Sequence, residues 1–353
     1  MSTVEHPPAT LTRRSLLIGA TAAAFTARGA GAAPLPALEG LVRICGSTRM
    51  EPLVASWIAG FHRLHPKIDF AVDLKGTATA QFGLHLNTAD IAVSARQIYP
   101  YEYYGIYRRS QLLTREVPVA IGSANRPGLS TAIGVFVHRD NPLRGLSVEQ
   151  LDGIFGAART GGWQGMEWAT DVARMADRDI RYWRQLNVSG AWADQPINPY
   201  GPPGVHPGGV SYFQSRVMGG ADTWNDRLRE FPDREAMLAA IARDRFGIGY
   251  AALGHKAEGV RALPLSEATG GRLIAPSPAA VATFSYPLSR LAYFYLAPDS
   301  ASGDPAPVAP HIRAFVDFVL SAPGQRTVAP ATGYFPLTPT LATRARAALA
   351  SER

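Results

Sequence analysis

RICGSTRMEPLVASWIAGFHRLHP, residues 43–66, is the stretch whose reading decides the fold. Val42 and Ile44 alternate as a short buried strand does. Gly46-Ser47-Thr48 is turn chemistry, and Leu53, Trp57, Ile58, Phe61 and Leu64 recur at three- and four-residue spacing, the period of an amphipathic helix. Ser47 and Thr48 therefore stand where a helix begins. A helix start exposes backbone N–H groups without intrahelical acceptors and carries partial positive charge. Hydroxyls placed there either cap the helix or join those N–H groups in holding an anion.

Working outward, Ile68–Leu74 alternates as a second strand and ends in Lys75-Gly76-Thr77-Ala78-Thr79-Ala80, a small hydroxyl-bearing turn before a helix through Gly83–Leu86. Ala89–Val93 reads as a third strand and ends in Ser94-Ala95-Arg96. Strands alternating with helices imply a mainly parallel sheet, and such sheets bind ligands at the carboxyl ends of their strands. The tyrosine-rich segment Tyr99–Tyr107 reads as cover for a helix and a sheet edge, with a stacking platform as the alternative. Strands follow at Val117–Ile121 and Ile133–His138, and Ser147-Val148-Glu149-Gln150 is a capping box opening a helix that reaches Phe155. From Gly156 to Asn198 the chain is rich in Gly, Trp and charge without a clear period, an irregular surface with a helix near Asp171–Leu186. Asn198–Gly209 is a Pro/Gly loop. Ser211–Val217 and Arg234–Arg243 read as helices, Phe246–Tyr250 and Leu291–Leu296 as strands, Pro298–Pro310 as a surface loop, and Pro310–Leu320 as a helix, with another from Pro323.

At 353 residues the chain is long enough for two domains, and 46% hydrophobic with 18% charged residues describes a soluble globular chain. The formal charge of +7 does not make it a nucleic-acid binder, because no long basic run appears and Arg13, Arg14 and Arg28 all lie in the first 33 positions. Those positions read as a signal segment. Arg13-Arg14 precedes an Ala-rich apolar run too short to span a membrane, and Ala30-Gly31-Ala32 offers a cleavage site, the pattern of twin-arginine export that leaves a protein periplasmic or secreted. Cys45, the sole cysteine, permits no intrachain disulfide and reads as a small buried residue. His62 and His65 share a helix face, but no HExxH, Gly-x-Ser-x-Gly or Cys cluster appears, so neither a metal, a cofactor nor an enzyme is expected.

Six pieces in order along Val42–Leu337 resemble the periplasmic phosphate-binding proteins of phosphate ABC transporters. They are Gly46-Ser47-Thr48 with Pro52-Leu53; Ala89-Asp90-Ile91-Ala92; His138–Leu143 with Leu146 and Leu151–Phe155; Gly247-Ile248-Gly249-Tyr250; Tyr286-Pro287-Leu288-Ser289-Arg290; and Phe318–Ser321 with Gly324-Gln325 and Gly333–Leu337. The resemblance implies an α/β protein of two lobes, the type II periplasmic-binding-protein fold, each lobe a mainly parallel sheet flanked by helices. Two hinge crossovers join them: residues 38–124 plus 255–345 form lobe 1 and residues 125–254 lobe 2. It implies a monomeric exported protein that holds phosphate or a related small oxyanion in the cleft, without metal, and hands it to an ABC permease or a sensor protein.

Carried over residue by residue, the resemblance places Thr48 with Ser47 at the first anion turn, Thr77 with Thr79 at the second, and Ser94 with Arg96 at the third. Ala95 stands where the family usually has Ser or Asp. The family's second-lobe Arg and Ser-Gly-Thr turn are missing: Pro202–Gly209 lies between Tyr200-Gly201 and Tyr212-Phe213. Gly208, Gly209 and Ser211 remain to offer groups at a helix start there, and Arg49 or Arg96 to supply charge from the first lobe. The alternative is a scaffold or interaction protein of the same fold that has lost phosphate binding.

Overall fold

A computed structural model describes residues 38–350 apart from 127, 165, 203–207, 298–306 and 329–331. The export signal read from sequence, the interior of the Pro/Gly loop and most of the surface loop at 298–310 lie outside the described residues.

The first sheet begins as the opening stretch predicts. Strand β1 (Gly40–Gly46) buries Val42 and Ile44, turns through Ser47, and feeds helix α1 (Glu51–His62), whose Leu53, Val54, Trp57 and Phe61 are all buried in the core. Then come β2 (Ile68–Asp73), α2 (Thr77–His85), β3 (Ile91–Ser94), α3 (Pro100–Ser110) and β4 (Arg115–Ile121). Here the chain crosses to a second sheet. It builds β5 (Ile133–His138), β6 (Leu146–Ser147), α4 (Val148–Phe155), the hairpin β7 (Gly162–Gln164) and β8 (Glu167–Ala169), β9 (Asn198–Gly201), α5 (Gly209–Val217), β10 (Arg229–Glu230), α6 (Arg234–Arg243), β11 (Gly247–Ala252), β12 (Val260–Ala262) and β13 (Leu265–Ser266). After α7 (Pro278–Ala282) it returns as β14 (Leu291–Leu296) and closes with α8 (Pro310–Leu320), α9 (Ala322–Arg326) and α10 (Pro339–Ala350).

The two five-stranded sheets have matching orders, β2-β1-β3-β14-β4 and β10-β9-β11-β5-β12. In the first, β1 pairs in parallel with β2 and β3, and β14 pairs antiparallel with β3 and β4. In the second, β9 pairs in parallel with β10 and β11, and β5 pairs antiparallel with β11 and β12. Each sheet is thus mainly parallel with one reversed strand, and that strand is the first of the sheet after a crossing. Parallel neighbours need a helical return, which a strand arriving from the other lobe does not have. The crossings lie side by side: Gly122 N donates to Arg290 O at 2.8 Å and Ile133 N to Leu288 O at 3.1 Å. Among the described residues no helix is long and apolar enough to cross a membrane.

Three sequence expectations need correction. The second lobe does not end at Gly254: β12 adds to the edge of its sheet and β13 pairs with β6, because His138–Phe136 leaves an open strand edge that Val260–Ala262 fills. No α-helix forms over Asp171–Leu186, only two 3-10 turns, Ala176–Arg178 and Trp183–Leu186. Side-chain pairs hold that segment instead. Arg159 grips Asp152 with two 2.7 Å bonds, and Arg174 reaches Asp179 at 2.7 Å and Gly156 O at 2.6 Å. Finally, the start of the Pro/Gly loop is strand: β9 places the buried Tyr200 between β10 and β11.

Candidate functional site

A cavity of about 390 Å³ lies where the two lobes meet, at the turns that follow β1, β2 and β3 and at the start of α5. The first turn reaches it because β1 ends in a glycine no other residue replaces. Gly46 has φ +124°, and a Cβ there would stand 2.3 Å from Val93 O. Ser47 N donates to that same carbonyl at 2.9 Å, which seats the turn against β3. Ser47 makes no side-chain capping bond at the 3-10 turn Thr48–Met50 that leads into α1, so the capping alternative is not the one realised. Gly76, at φ +128°, opens α2 without a side-chain cap and leaves Thr77 at the cavity wall.

Six of the ten residues read from sequence line the cavity: Ser47, Thr48, Arg49, Thr77, Gly208 and Gly209. The hydroxyls of Ser47, Thr48 and Thr77 carry no hydrogen bond to any described residue. The other four are absent from the lining. Thr79 Oγ1 donates to Gly76 O at 2.8 Å, Ser94 Oγ to Arg96 O at 2.9 Å, and Ser211 Oγ to Gly208 O at 3.3 Å, so each serves its own turn. Arg96 is turned into the first lobe. Its guanidinium meets Glu102 at 2.7 and 2.9 Å, donates to Gln97 O at 2.9 Å and lies over the Tyr99 ring at 4.2 Å. Glu102 stands in the first turn of α3, where it also accepts from Tyr99 N at 2.6 Å; the tyrosine-rich segment therefore acts as a holder of Arg96.

Sequence reading missed three kinds of lining residue. Gly128–Thr131, on the first crossing, bring Ser130, whose Oγ is buried without a partner. Arg234 and His255 come from the second lobe, His255 with its Nδ1 3.0 Å from Glu235 Oε1. Arg290 comes from the return crossing and lines the cavity although it is only 6% exposed. Burial pushes its guanidinium down to about 10, with Arg49 and Arg96 adding repulsion, so it stays charged at neutral pH. The signal available in sequence was an arginine directly before the apolar strand β14.

Among the described residues the lining thus holds Arg49, Arg234 and Arg290 and no Asp or Glu. Arg49 is tied only to a neutral group, donating Nη1 to Leu129 O at 3.2 Å. An uncompensated set of cations with free hydroxyls can hold an anion through charge-assisted hydrogen bonds. Among the described residues no group of three or more His, Cys, Asp or Glu could bind a metal. α1 ends at His62, so the two histidines do not share a helix face: His62 Nδ1 faces Ile68 O at 3.2 Å, and His65, beyond the helix, lies tilted against the Phe61 ring with 4.6 Å between centroids. Cys45 is buried, which pushes its thiol up to about 11.

Comparison with known proteins places this geometry in context. The profile of a family described as PBP superfamily domain matches residues 20–323. A phosphate-binding protein PstS of Pseudomonas aeruginosa is 28% identical over 337 residues, 91% of this chain and 95% of that protein. Two solved structures share the fold. An ABC-type phosphate transport receptor from Vibrio cholerae gives a TM-score of 0.52 at 19% identity, covering 84% of this chain and all of that one. PstS from Borrelia burgdorferi gives 0.53 at 16% identity, covering 85% of this chain and all of that one.

Proposed function

The chain belongs to the PBP superfamily, and from that premise we propose that it is an exported, non-enzymatic solute-binding protein whose interlobe cleft holds phosphate or a related small oxyanion. One observation carries this reading: hydroxyls without hydrogen-bond partners, and guanidinium groups without carboxylates, among the described residues converge on one cavity between the lobes. Such groups are desolvated at a cost that an oxyanion offsets by accepting their hydrogen bonds in a partly dry site. The relatives named for phosphate binding support phosphate as the first guest to try. Release into the periplasm through the twin-arginine signal, and delivery to an ABC permease or a sensor protein, complete the proposal. Its lobes, residues 38–124 with the C-terminal part and the intervening stretch through β13, would close on the guest.

The test is thermal unfolding with and without phosphate, sulfate, arsenate, phosphonates and small carboxylates. A guest present at a hundredfold excess over Kd adds about 2.7 kcal/mol of stability, several degrees of melting temperature. Thr48→Ala is expected to weaken that guest about tenfold while the unliganded protein melts as before. A flat profile across all these anions would instead favour an interaction scaffold on the same fold. That second reading is favoured by one feature, the absence of Arg and Ser-Gly-Thr from Pro202–Gly209.

A further inference from the structure

A buried cation is costly unless a partner answers it, and an arginine can answer with five donors in a fixed plane. Arg290 uses one nitrogen on protein: Nη2 donates to Ala95 O on the first lobe at 2.7 Å and to Gly208 O on the second at 3.2 Å. Its Nε is buried with no partner, and the guanidinium lies 5.1 Å from the centre of the Tyr212 ring. Arg234 opens α6, and its Nη2 hangs over the start of α5, 3.6 Å from where a Cβ on Gly209 would stand. Neither guanidinium is in an ion pair with a described residue. Both therefore flank the Gly208–Gly209 turn, one from the return crossing and one from the second lobe, with charge to spare.

We propose that Arg234 and Arg290 are the paired charged ligands of the cleft, and that the guest they select is a tetrahedral dianion, hydrogenphosphate and sulfate alike. Arg234 supplies from α6 the second-lobe charge that the Pro/Gly loop lacks. Arg290, already bonded to both lobes, presents its remaining donors where the lobes meet. The preference for two charges follows from the cations in the lining, Arg49 included, which a monoanion would leave under-compensated. Indifference to the proton follows from what the lining lacks. Rejecting sulfate requires a repulsive group facing the anion, which a carboxylate would provide. None of the described lining residues is acidic, and positions 203–207 are Pro, Gly, Val, His and Pro. This assignment rests on the binding reading of the same cleft.

The experiment is isothermal titration of the full chain with inorganic phosphate and, separately, sodium sulfate at low salt and about pH 8, where phosphate is largely doubly ionised. Both anions are expected to bind one per chain, within about tenfold of each other. Arg234→Gln should weaken each by about tenfold or more, the loss of a charge-assisted bond, with the unliganded melting temperature unchanged. Arg290→Lys keeps a charge but loses the guanidinium plane, and should weaken both anions likewise. Phosphate binding with sulfate excluded by about a hundredfold overturns the dianion assignment, and full affinity in Arg234→Gln overturns the clamp; either result leaves the binding reading intact. Failure of the unmodified protein to bind either anion overturns both.

Discussion

Glu116 is a carboxylate set among phenols. Tyr295 Oη donates to it at 2.7 Å, Gln97 Nε2 at 3.4 Å, and Tyr103 and Tyr293 lie near enough for its charge to raise them. Burial raises its own pKa against the pull of those hydrogen bonds. A carboxyl whose folded pKa exceeds its unfolded one binds more protons when folded, so its contribution to stability falls as pH rises between the two values. Glu116→Gln keeps an acceptor for Tyr295 and removes the buried charge. Its melting temperature is expected to exceed the unmodified protein's at pH above the ordinary carboxylate range and to converge with it on acidification; the reverse trend in a pH series of melts would refute this. The same scale explains why, of the two arginines read from sequence, Arg49 lines the cavity and Arg96 does not. Arg96 sits beside a polar turn, where an anion ligand is expected, but Glu102 is six residues on and neutralises it. Arg290 follows the turn Tyr286–Ser289, which ends no strand, and only the pairing of the two crossings carries it to the cleft.

At the scale of elements, local signals were legible wherever the element carries its own instructions. The capping box of α4 is one: Ser147 Oγ accepts from Gln150 N at 3.0 Å, and Gln150 Oε1 accepts from Ser147 N at 2.9 Å, as the spacing predicts. Ser147→Ala removes one arm and also the 3.0 Å contact with Thr269 Oγ1 that ties β6 to the segment after β13. It should cost about 1 kcal/mol, roughly 2–4 °C in a thermal melt, whereas an unaltered melt would mean the helix start is held by packing alone. Helices α6 and α8 and strand β14 likewise have the bounds their periodicity predicts. What could not be read are elements whose instructions lie elsewhere in the chain. β9 is Asn-Pro-Tyr-Gly, turn chemistry by composition, and is a strand because β11 offers an edge on one side and β10 on the other. β12 has three residues and owes its register to His138–Phe136. The site divides the same way: turns that end strands were visible, whereas Gly128–Thr131 and Arg234 reach the cavity only through the arrangement of whole lobes.

For the whole molecule, that arrangement depends on how tightly the two crossings approach. Gly122 is one point where they touch, its N donating to Arg290 O at 2.8 Å. A Cβ there would stand 2.5 Å from Ser130 O and 3.2 Å from Arg290 O, and both obstacles are backbone atoms with no flexible end to swing away. The crossings carry Ser130 and Arg290 into the cleft, and the cleft is braced beside them by Tyr212 Oη on Ser289 O at 2.5 Å and Tyr334 Oη on Arg49 O at 2.7 Å. Separating the crossings by the width of a methyl group would therefore move donors from both lobes relative to one another. Gly122→Ala is expected to cost about 1–3 kcal/mol through this overpacking, several degrees of melting temperature. It should also weaken anion binding more than Thr48→Ala does, because it displaces a shared frame and Thr48→Ala deletes one donor. Gly209 supplies the comparison within the same cleft. Among the described residues a methyl there meets only Arg234 Nη2 at 3.6 Å and Ile133 Cδ1 at 3.8 Å, ordinary contact distances, so Gly209→Ala should melt with the unmodified protein. If the two alanine variants melt together, the crossings have slack, and the spacing of the lobes is set by the faces of the cleft instead of by its hinge.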